Sequence, residues 1–313
     1  MVKPSAAIKL LEVVLVHVTE AFVDGLLANS SALFNNIYAF ECTIPTMPGK
    51  SHQGLTITHQ DLKERRDDFI QELRHTMSAW VYSKSKYQEI IDQAIKERGG
   101  DVQNASSFMY QLVRQKFRKG HPKGQFGELL LFNAIQHYFK AVPLLRKMSI
   151  TTNPAIERHG ADAIHYRPSG EAHLLYVGEA KTYGSKYKFT AALKDAVDSI
   201  LDSYDKLSKE LGLYVYDEFI DGGLVDIARG IKNNSLEGIH YELVCVVSYE
   251  ENMDKSRPTE AEIKTAIREA VVQRLKDFDV AHFKGRCPHL LSRLHLLAVP
   301  VWGLDDLMET FEQ

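Results

Sequence analysis

Three charged side chains stand at the ends of two short apolar segments near the middle of the chain. Asp162 lies in the segment 160–166, and Glu179 and Lys181 follow the apolar run 174–177. Both segments have the composition of β-strands, and because strand side chains alternate between faces, Glu179 and Lys181 project to the same side. If the two strands pair, Asp162 lies beside them. Two carboxylates and an ammonium group at one point suit a divalent metal ion with an activated water, which is the chemistry of phosphodiester cleavage.

A salt-bridged strand end is the ordinary alternative for these charges. Charges that end a buried strand are costly unless they pair, bind a metal or emerge at the edge of the sheet. Similar acidic-x-Lys triplets at 61–63 and 262–264 fall in segments that read as helical, where residues two apart point to different sides. Thr259 and Glu262 form a capping box, which explains that glutamate without catalysis. The two strand segments alone leave the metal site and the salt bridge open.

A third carboxylate, Glu128, favours the metal site. The segment 124–135 predicts a helix that starts after a glycine-rich turn, and Phe132, Ile135 and Phe139 follow Glu128 at +4, +7 and +11. Glu128 is therefore expected on the buried stripe of the helix, where a carboxylate is costly. The alternative is a first-turn glutamate that the helix N-terminus satisfies. Along the chain, a glutamate on a helix is followed by an aspartate on one strand and by Glu-x-Lys on the next strand. One nuclease core requires this order.

With this order of residues the chain resembles the PD-(D/E)xK nuclease superfamily, which has the restriction-endonuclease-like fold. The resemblance implies a mixed sheet flanked by helices in the order α-β-β-β-α-β, over roughly residues 123–303. The segments 127–128, 160–162 and 177–181, with the overall length, are more particularly similar to the HamA family, the nuclease of the Hachiman antiphage defence system. Ala161 stands where proline often precedes the aspartate in that superfamily. The side chain at this position takes no part in catalysis.

The resemblance implies a role for each site residue. Asp162 and Glu179 hold one or two Mg²⁺ ions, with Mn²⁺ as a substitute, and Glu128 completes the metal shell directly or through water. Lys181 orients the attacking water or stabilises the pentavalent phosphorus. The main-chain carbonyl of Ala180 is also expected to bind metal.

The expected function is a metal-dependent nuclease that acts on DNA as the effector of antiphage defence. The resemblance implies a superfamily 2 helicase partner, HamB. Restraint by this partner is expected because the motif provides no module that reads base sequence, and an unspecific nuclease would attack the DNA of its own host. The chain contains no phosphate-binding loop, so any ATP-driven step belongs to the partner. The alternative is a catalytically silent adaptor of the same fold that binds nucleic acid or the helicase, and the presence of Asp162, Glu179 and Lys181 favours the nuclease.

Two basic stretches are candidates for contact with a nucleic-acid backbone. One leads into the Glu128 helix, and the other begins an amphipathic helix expected across about 188–211, ended by Gly212. An exposed helix surface is the alternative for each stretch. The candidate residues are Arg114, Lys116, Arg118 and Lys119 in the first stretch and Lys186 and Lys188 in the second.

Composition limits the classes of protein. The 313 residues are 44% hydrophobic, which suffices for one large domain or two smaller ones. The predicted division is an N-terminal region, 1–122, for partner docking or nucleic-acid contact, and a nuclease core, 123–313. With 38 basic and 41 acidic residues, the formal charge is −3, and a protein that coats nucleic acid would be strongly basic. An enzyme with acidic metal ligands need not be strongly basic.

The remaining expectations concern location and secondary structure. Three widely spaced cysteines give no disulfide framework, and no run of about twenty apolar residues predicts a membrane span. The apolar run 8–18 reads as a strand and not as a signal peptide. A cytoplasmic protein is therefore expected. The fold class is α/β (α+β), with a mixed sheet flanked by helices and a largely helical N-terminal region. Helices are predicted at about 59–82, 86–98, from 104 and at 260–278, a loop at 45–54, and strands at 240–247 and 294–301.

Overall fold

The computed structural model describes residues 18–47, 50–117, 120–146, 160–184, 189–214, 220–279, 281–284 and 288–313. In these residues a seven-stranded mixed sheet lies between two layers of helices, which confirms the predicted fold class. A small second sheet of two short strands accompanies it. The predicted strand at 8–18 lies outside the described residues except for Val18.

The strands are numbered in chain order. They are β1 (Ile37–Thr43), β2 (Ser51–Ile57), β3 (His59–Gln60), β4 (Lys63–Glu64), β5 (Val142–Leu145), β6 (Ala163–Ser169), β7 (Ala172–Tyr183), β8 (Ile239–Glu250) and β9 (Leu294–Val301). The main sheet has the order β1-β2-β9-β8-β7-β6-β5. Its central pairs β2–β9, β9–β8 and β8–β7 are parallel, and the outer pairs β1–β2, β7–β6 and β6–β5 are antiparallel.

The helices are numbered in the same way. They are α1 (Glu20–Leu26), α2 (Ser31–Phe34), α3 (Arg66–His75), α4 (Met77–Val81), α5 (Lys84–Glu97), α6 (Val102–Arg114), α7 (Pro122–Phe139), α8 (Phe189–Tyr214), α9 (Val225–Lys232), α10 (Glu260–Leu275), α11 (Ala281–Lys284), α12 (Pro288–Leu291) and α13 (Leu304–Glu312). The series α7-β5-β6-β7-α8-β8 has the order α-β-β-β-α-β that the resemblance implied, with α9 between α8 and β8. None of these helices, within the described residues, has the length and apolar character that a membrane crossing requires.

The N-terminal region shares the main sheet with the predicted nuclease core. It contains the expected helices α5 and α6, and it also supplies β1 and β2, which join the sheet through the parallel pairs Gln53–Leu297 and Gly54–Ala298. The predicted loop at 45–54 is therefore wrong at its end, where β2 begins at Ser51. A Cβ on Gly54 would lie 2.2 Å from the Phe40 ring, so this glycine serves close packing inside the sheet.

The helix predicted at 59–82 is wrong in its first part and interrupted in its second. Residues 59–64 form the β3–β4 hairpin, whose turn residues Asp61 and Leu62 have φ of 51° and 63°. Leu62, an apolar residue within the predicted helix, is 50% exposed. Thr76 separates α3 from α4, and its hydroxyl donates to the Leu73 carbonyl at 2.7 Å.

Helix α7 begins earlier than predicted, at Pro122, a residue well suited to the first helical position. Glu128 therefore lies in the second turn, so the first-turn alternative for this residue is wrong. Gly127 is inside the helix, where a Cβ would lie 2.8 Å from Thr182 Oγ1 and 3.3 Å from Ala180 Cβ. Glycine here allows α7 to pack closely on β7.

The two faces of β7 contact different helices. Leu175 and Val177 belong to the core beneath α8, α9 and α10, whereas Tyr176 and Ala180 pack in the core formed with α3, α7 and α13. By alternation, Glu179 and Lys181 share the α8 face. Helix α8 follows the predicted amphipathic pattern but continues past Gly212, where its end was predicted, to Tyr214.

Candidate active site

The β6–β7 hairpin brings Asp162 to the Glu179-Ala180-Lys181 triplet, as the sequence predicted. Ala163 pairs with Gly178, and the Asp162 backbone N–H donates to the Gly178 carbonyl at 3.0 Å just before β6 begins. The Asp162 carboxylate accepts a second bond through Oδ2 from the Ala180 N–H, also at 3.0 Å. Asp162 is thus fixed beside β7 by both its backbone and its side chain.

Glu179 is a buried carboxylate, and one of its two oxygens has partners among the described residues. The residue is 4% exposed, and its Oε1 accepts from Ser199 Oγ at 2.7 Å and from Lys181 Nζ at 2.8 Å. The other oxygen, Oε2, is buried without a hydrogen-bond partner among the described residues. Buried polar atoms normally have partners, so an orphaned carboxylate oxygen indicates a site that some other group completes.

Ser199 is the site residue that sequence reasoning missed. It lies on α8, one turn after the buried Ala196, and it carries a hydroxyl on the side of the helix that faces β7. A serine next to the apolar stripe of a long helix is a weak signal, because serine also occurs on exposed helix faces. Only the packing of α8 on β7 shows which carboxylate it contacts.

The electrostatics of the site follow from its burial. Burial raises the pKa of the Glu179 carboxyl above its usual value, and the nearby charge of Asp162 raises it further; Lys181 and Ser199 oppose this shift without cancelling it. For Lys181, burial lowers the pKa, but the charges of Glu179 and Asp162 outweigh burial and raise it. Lys181 therefore remains an ammonium ion, while the two carboxylates repel each other.

The donor set at this point fits a hard divalent cation. Asp162 and Glu179 provide carboxylate oxygens, which Mg²⁺ and Mn²⁺ prefer, and Glu179 Oε2 lacks any other partner in the described part of the chain. A cation there would offset the repulsion that raises the pKa of Glu179. Two carboxylates with an ammonium group beside them are the donor set that a metal-assisted hydrolysis would use.

The comparison with known protein families identifies the family of the chain. The HamA family model matches residues 31–313. The chain belongs to the HamA family. The match spans most of the sequence, including the β6–β7 hairpin and α7, and it groups the chain with the Hachiman defence proteins. No curated protein sequence matches the chain.

In this HamA-family chain the third predicted carboxylate, Glu128, is half-buried on α7. Its neighbour Gly127 packs against Ala180 and Thr182, whose side chains lie on the face of β7 opposite to Glu179. The described residues contain no group of three or more His, Cys, Asp or Glu side chains that could hold a metal. A metal role for Glu128 therefore stays a prediction.

The predicted nucleic-acid contacts are only partly described. Arg114 is half-buried at the end of α6, and its Nη2 donates to the Glu312 carbonyl at 2.6 Å. Lys116 follows as a half-buried residue. Arg118, Lys119, Lys186 and Lys188 lie outside the described residues. The role of all six residues in binding nucleic acid stays a prediction.

Proposed function

We propose that this HamA-family protein is a metal-dependent nuclease that hydrolyses phosphodiester bonds in DNA. The observation that supports the proposal most strongly is the state of Glu179, which is buried beside Asp162 with Oε1 held by Ser199 and Lys181 and with Oε2 lacking a partner among the described residues. A purely structural carboxylate at this depth would have both oxygens satisfied. Perturbed, incompletely paired carboxylates are typical of functional sites.

Each residue has a separate role in the proposed reaction. Asp162 and Glu179 would bind Mg²⁺, with Mn²⁺ as a substitute, and Glu128 and the Ala180 carbonyl are the further predicted ligands. The bound metal would lower the pKa of a coordinated water and neutralise charge on the phosphate. Lys181, held as an ammonium ion 2.8 Å from Glu179, would place a positive charge against the phosphate oxygens.

The same proposal includes a partner. As a Hachiman defence protein, the nuclease would act as the effector and be restrained by the superfamily 2 helicase HamB. Two features of the chain support a division of labour: it has no phosphate-binding loop for ATP, and its site motif contains no element that reads base sequence. A nuclease without sequence specificity needs such restraint, because it would otherwise degrade host DNA.

The test is cleavage of supercoiled plasmid with Mg²⁺, with and without the helicase and ATP. We expect nicking or degradation that is lost in Glu179→Ala and in Lys181→Ala, while the circular dichroism spectra of both variants match the wild type. Glu262→Ala is the matched control, because Glu262 also belongs to a Glu-x-Lys triplet but serves in a capping box with Thr259. Cleavage that survives in Glu179→Ala would contradict the nuclease, and DNA binding without cleavage under any condition would indicate the adaptor.

A further inference from the structure

Two polar contacts between α8 and β7 lie on either side of Lys181. Ser199 Oγ donates to Glu179 Oε1 at 2.7 Å, and the Tyr183 hydroxyl donates to Asp195 Oδ2 at 3.0 Å. Asp195 and Ser199 are four residues apart, on one face of α8. Tyr183 and Glu179 are likewise four residues apart, on one face of β7, with Lys181 between them. The contact of Tyr183 with Asp195 has no part in the roles proposed above.

Tyr183 ends β7 on the face of the sheet that carries Glu179 and Lys181. Its ring is half-buried and packs against the same core as Leu175 and Val177, which lie on that face. Strand residues two apart are separated by about 6.6 Å, so Tyr183 follows Lys181 at about that distance along β7. The two side chains also interact electrostatically. The phenol ring is therefore a direct neighbour of the Lys181 ammonium group.

Asp195 keeps this phenol neutral and restricts its rotation. Burial raises the pKa of Tyr183, and the hydrogen bond and charge of Asp195 raise it further, whereas the charge of Lys181 acts to lower it. A neutral ring does not repel a phosphate group. Because the hydrogen bond orders the ring before any ligand binds, less side-chain entropy is lost when a ligand packs against it. The ring is thus prepared as a contact surface beside the charged site.

The position of the ring indicates which part of a nucleic acid it would meet. In the proposed reaction Lys181 faces the phosphate oxygens, so a ring about 6.6 Å farther along the strand is in reach of the nucleotide next to that phosphate. Aromatic side chains bind nucleotides by stacking on the base. A paired base presents only its edges in the grooves of the duplex, so its face is accessible only when the nucleotide is unpaired.

We infer that Tyr183 is a substrate-binding residue of this site, and that its ring stacks on the base of an unpaired nucleotide beside the scissile phosphate. Asp195 is a positioning residue, because it acts on the substrate through the Tyr183 hydroxyl. The inference rests on the proposed nuclease function and names a property of its substrate, a strand that is unpaired at the point of cleavage. Stacking tolerates every base, so the contact adds no sequence specificity.

The experiment is a fluorescence-anisotropy titration of an end-labelled single-stranded oligonucleotide with the full chain, in EDTA so that no metal-dependent cleavage occurs. A second strand of the same length carries abasic sugars throughout. We expect Tyr183→Ala to bind the normal strand about tenfold more weakly than wild type, from the loss of one stacked base, and to bind the abasic strand as wild type does. Equal affinity of the two proteins for the normal strand, or equal losses on both strands, would overturn the inference.

Matched variants test each part of the contact. Tyr241→Ala is the control and should leave binding unchanged, since Tyr241 is a half-buried tyrosine on the same face of the sheet that pairs with Leu175, eight residues before Tyr183. Tyr183→Phe and Asp195→Ala both keep the ring and remove the hydrogen bond, so we expect each to weaken binding about threefold. The double variant should bind no more weakly than either, because one bond is lost in all three. Additive losses would overturn the positioning role of Asp195.

Two further points keep the result decisive. If Tyr183→Ala fails to fold, Tyr183→Leu keeps an apolar side chain against the core and removes the aromatic ring, and the same comparison of normal and abasic strands applies to it. Because binding is measured without metal, the inference and the nuclease proposal fail separately. Metal-dependent cleavage with no effect of Tyr183 on binding would overturn the inference alone, whereas a base contact through Tyr183 without cleavage under any condition would contradict the nuclease alone.

Discussion

Glu179, in the second half of β7, and Glu251, directly after the neighbouring parallel strand β8, are both buried glutamates, yet their surroundings differ. Glu251 follows β8 and is 1% exposed. Both of its oxygens are satisfied: Arg274 donates to each at 2.9 and 3.0 Å, and the N–H groups of Asn252 and Met253 donate to Oε1. Glu179 has two donors on one oxygen, and none on the other in the described residues.

The pKa values of the two groups move in opposite directions for this reason. Burial acts to raise the pKa of Glu251, but Arg274 and the two backbone N–H groups outweigh burial and lower it. Burial and the charge of Asp162 raise the pKa of Glu179, and its two donors do not compensate. A carboxylate that the fold satisfies completely stabilises the fold, whereas one left partly unsatisfied beside a second carboxylate is suited to bind a cation.

The largest expected effect is a loss of stability that differs between glutamine substitutions of Glu251 and of Glu179. Glu251→Gln breaks the paired Arg274 interaction, and we expect the free energy of unfolding to fall by about 3 kcal/mol, as for the loss of one partner of a buried ion pair. Glu179→Gln keeps the shape and removes the repulsion from Asp162, so we expect a change within about 1 kcal/mol, of either sign. Urea unfolding at pH 7 without metal, followed by circular dichroism, measures both. Equal losses in the two variants would contradict the contrast.

The pH dependence of the same variants sharpens the comparison. The lowered pKa of Glu251 contributes stability that is present above its unfolded value near 4.5 and is lost as the pH falls through the folded pKa. The raised pKa of Glu179 does the reverse, because stability is lost as the pH rises from 4.5 through its folded pKa. Relative to wild type, Glu179→Gln should therefore gain stability as the pH rises above 4.5. Glu251→Gln should lose stability relative to wild type as the pH rises toward 4.5, and the difference should be constant above that pH.

A smaller effect is expected from the metal. A cation that binds the folded protein alone stabilises it by about 2.7 kcal/mol at a concentration of 100 times its dissociation constant. We expect Mg²⁺ to raise the melting temperature of wild type and of Glu251→Gln by similar amounts and to leave Glu179→Gln unchanged. Protons compete with the metal for Glu179. As the pH is lowered, the Mg²⁺-induced increase in melting temperature should therefore begin to decline while the pH is still above 4.5. An equal Mg²⁺ shift in Glu179→Gln would show that the cation binds elsewhere.

The hairpin that carries Asp162, Glu179 and Lys181 could be predicted because its signals are local. Apolar runs identify β6 and β7, and alternation places Glu179 and Lys181 on one face. Their burial and the positions of their hydrogen bonds could not be predicted, since these depend on how α8 lies on β7. The serine at position 199 becomes informative only when that packing is known.

The N-terminal errors have the same cause. Leu62 falls in the predicted helix 59–82 but lies exposed in a turn with a positive φ. Gly54 falls in the predicted loop 45–54 but lies in β2, in close contact with the Phe40 ring. In both cases the neighbours that decide the conformation are distant in sequence or depend on a turn geometry that composition does not specify. Contacts with residues far along the chain override the local pattern there.

The smallest expected effect isolates the hydrogen bond that Ser199, on helix α8, donates to Glu179. Ser199→Ala removes the hydroxyl that lies 2.7 Å from Oε1 and helps to lower the pKa of the carboxyl, so that pKa should rise further. A hydrogen bond to the charged form of a carboxylate favours that form, so its loss makes the carboxylate easier to protonate. The pH at which the Mg²⁺ increment in melting temperature is half-lost should therefore move upward. Ser199→Thr keeps a hydroxyl and should restore much of the wild-type midpoint, while Ser203→Ala, one turn later on α8, should leave it unchanged. A midpoint that does not move in Ser199→Ala would mean that Lys181 alone holds Oε1, and the difference between Glu179 and Glu251 would then rest on the strand residues without help from α8.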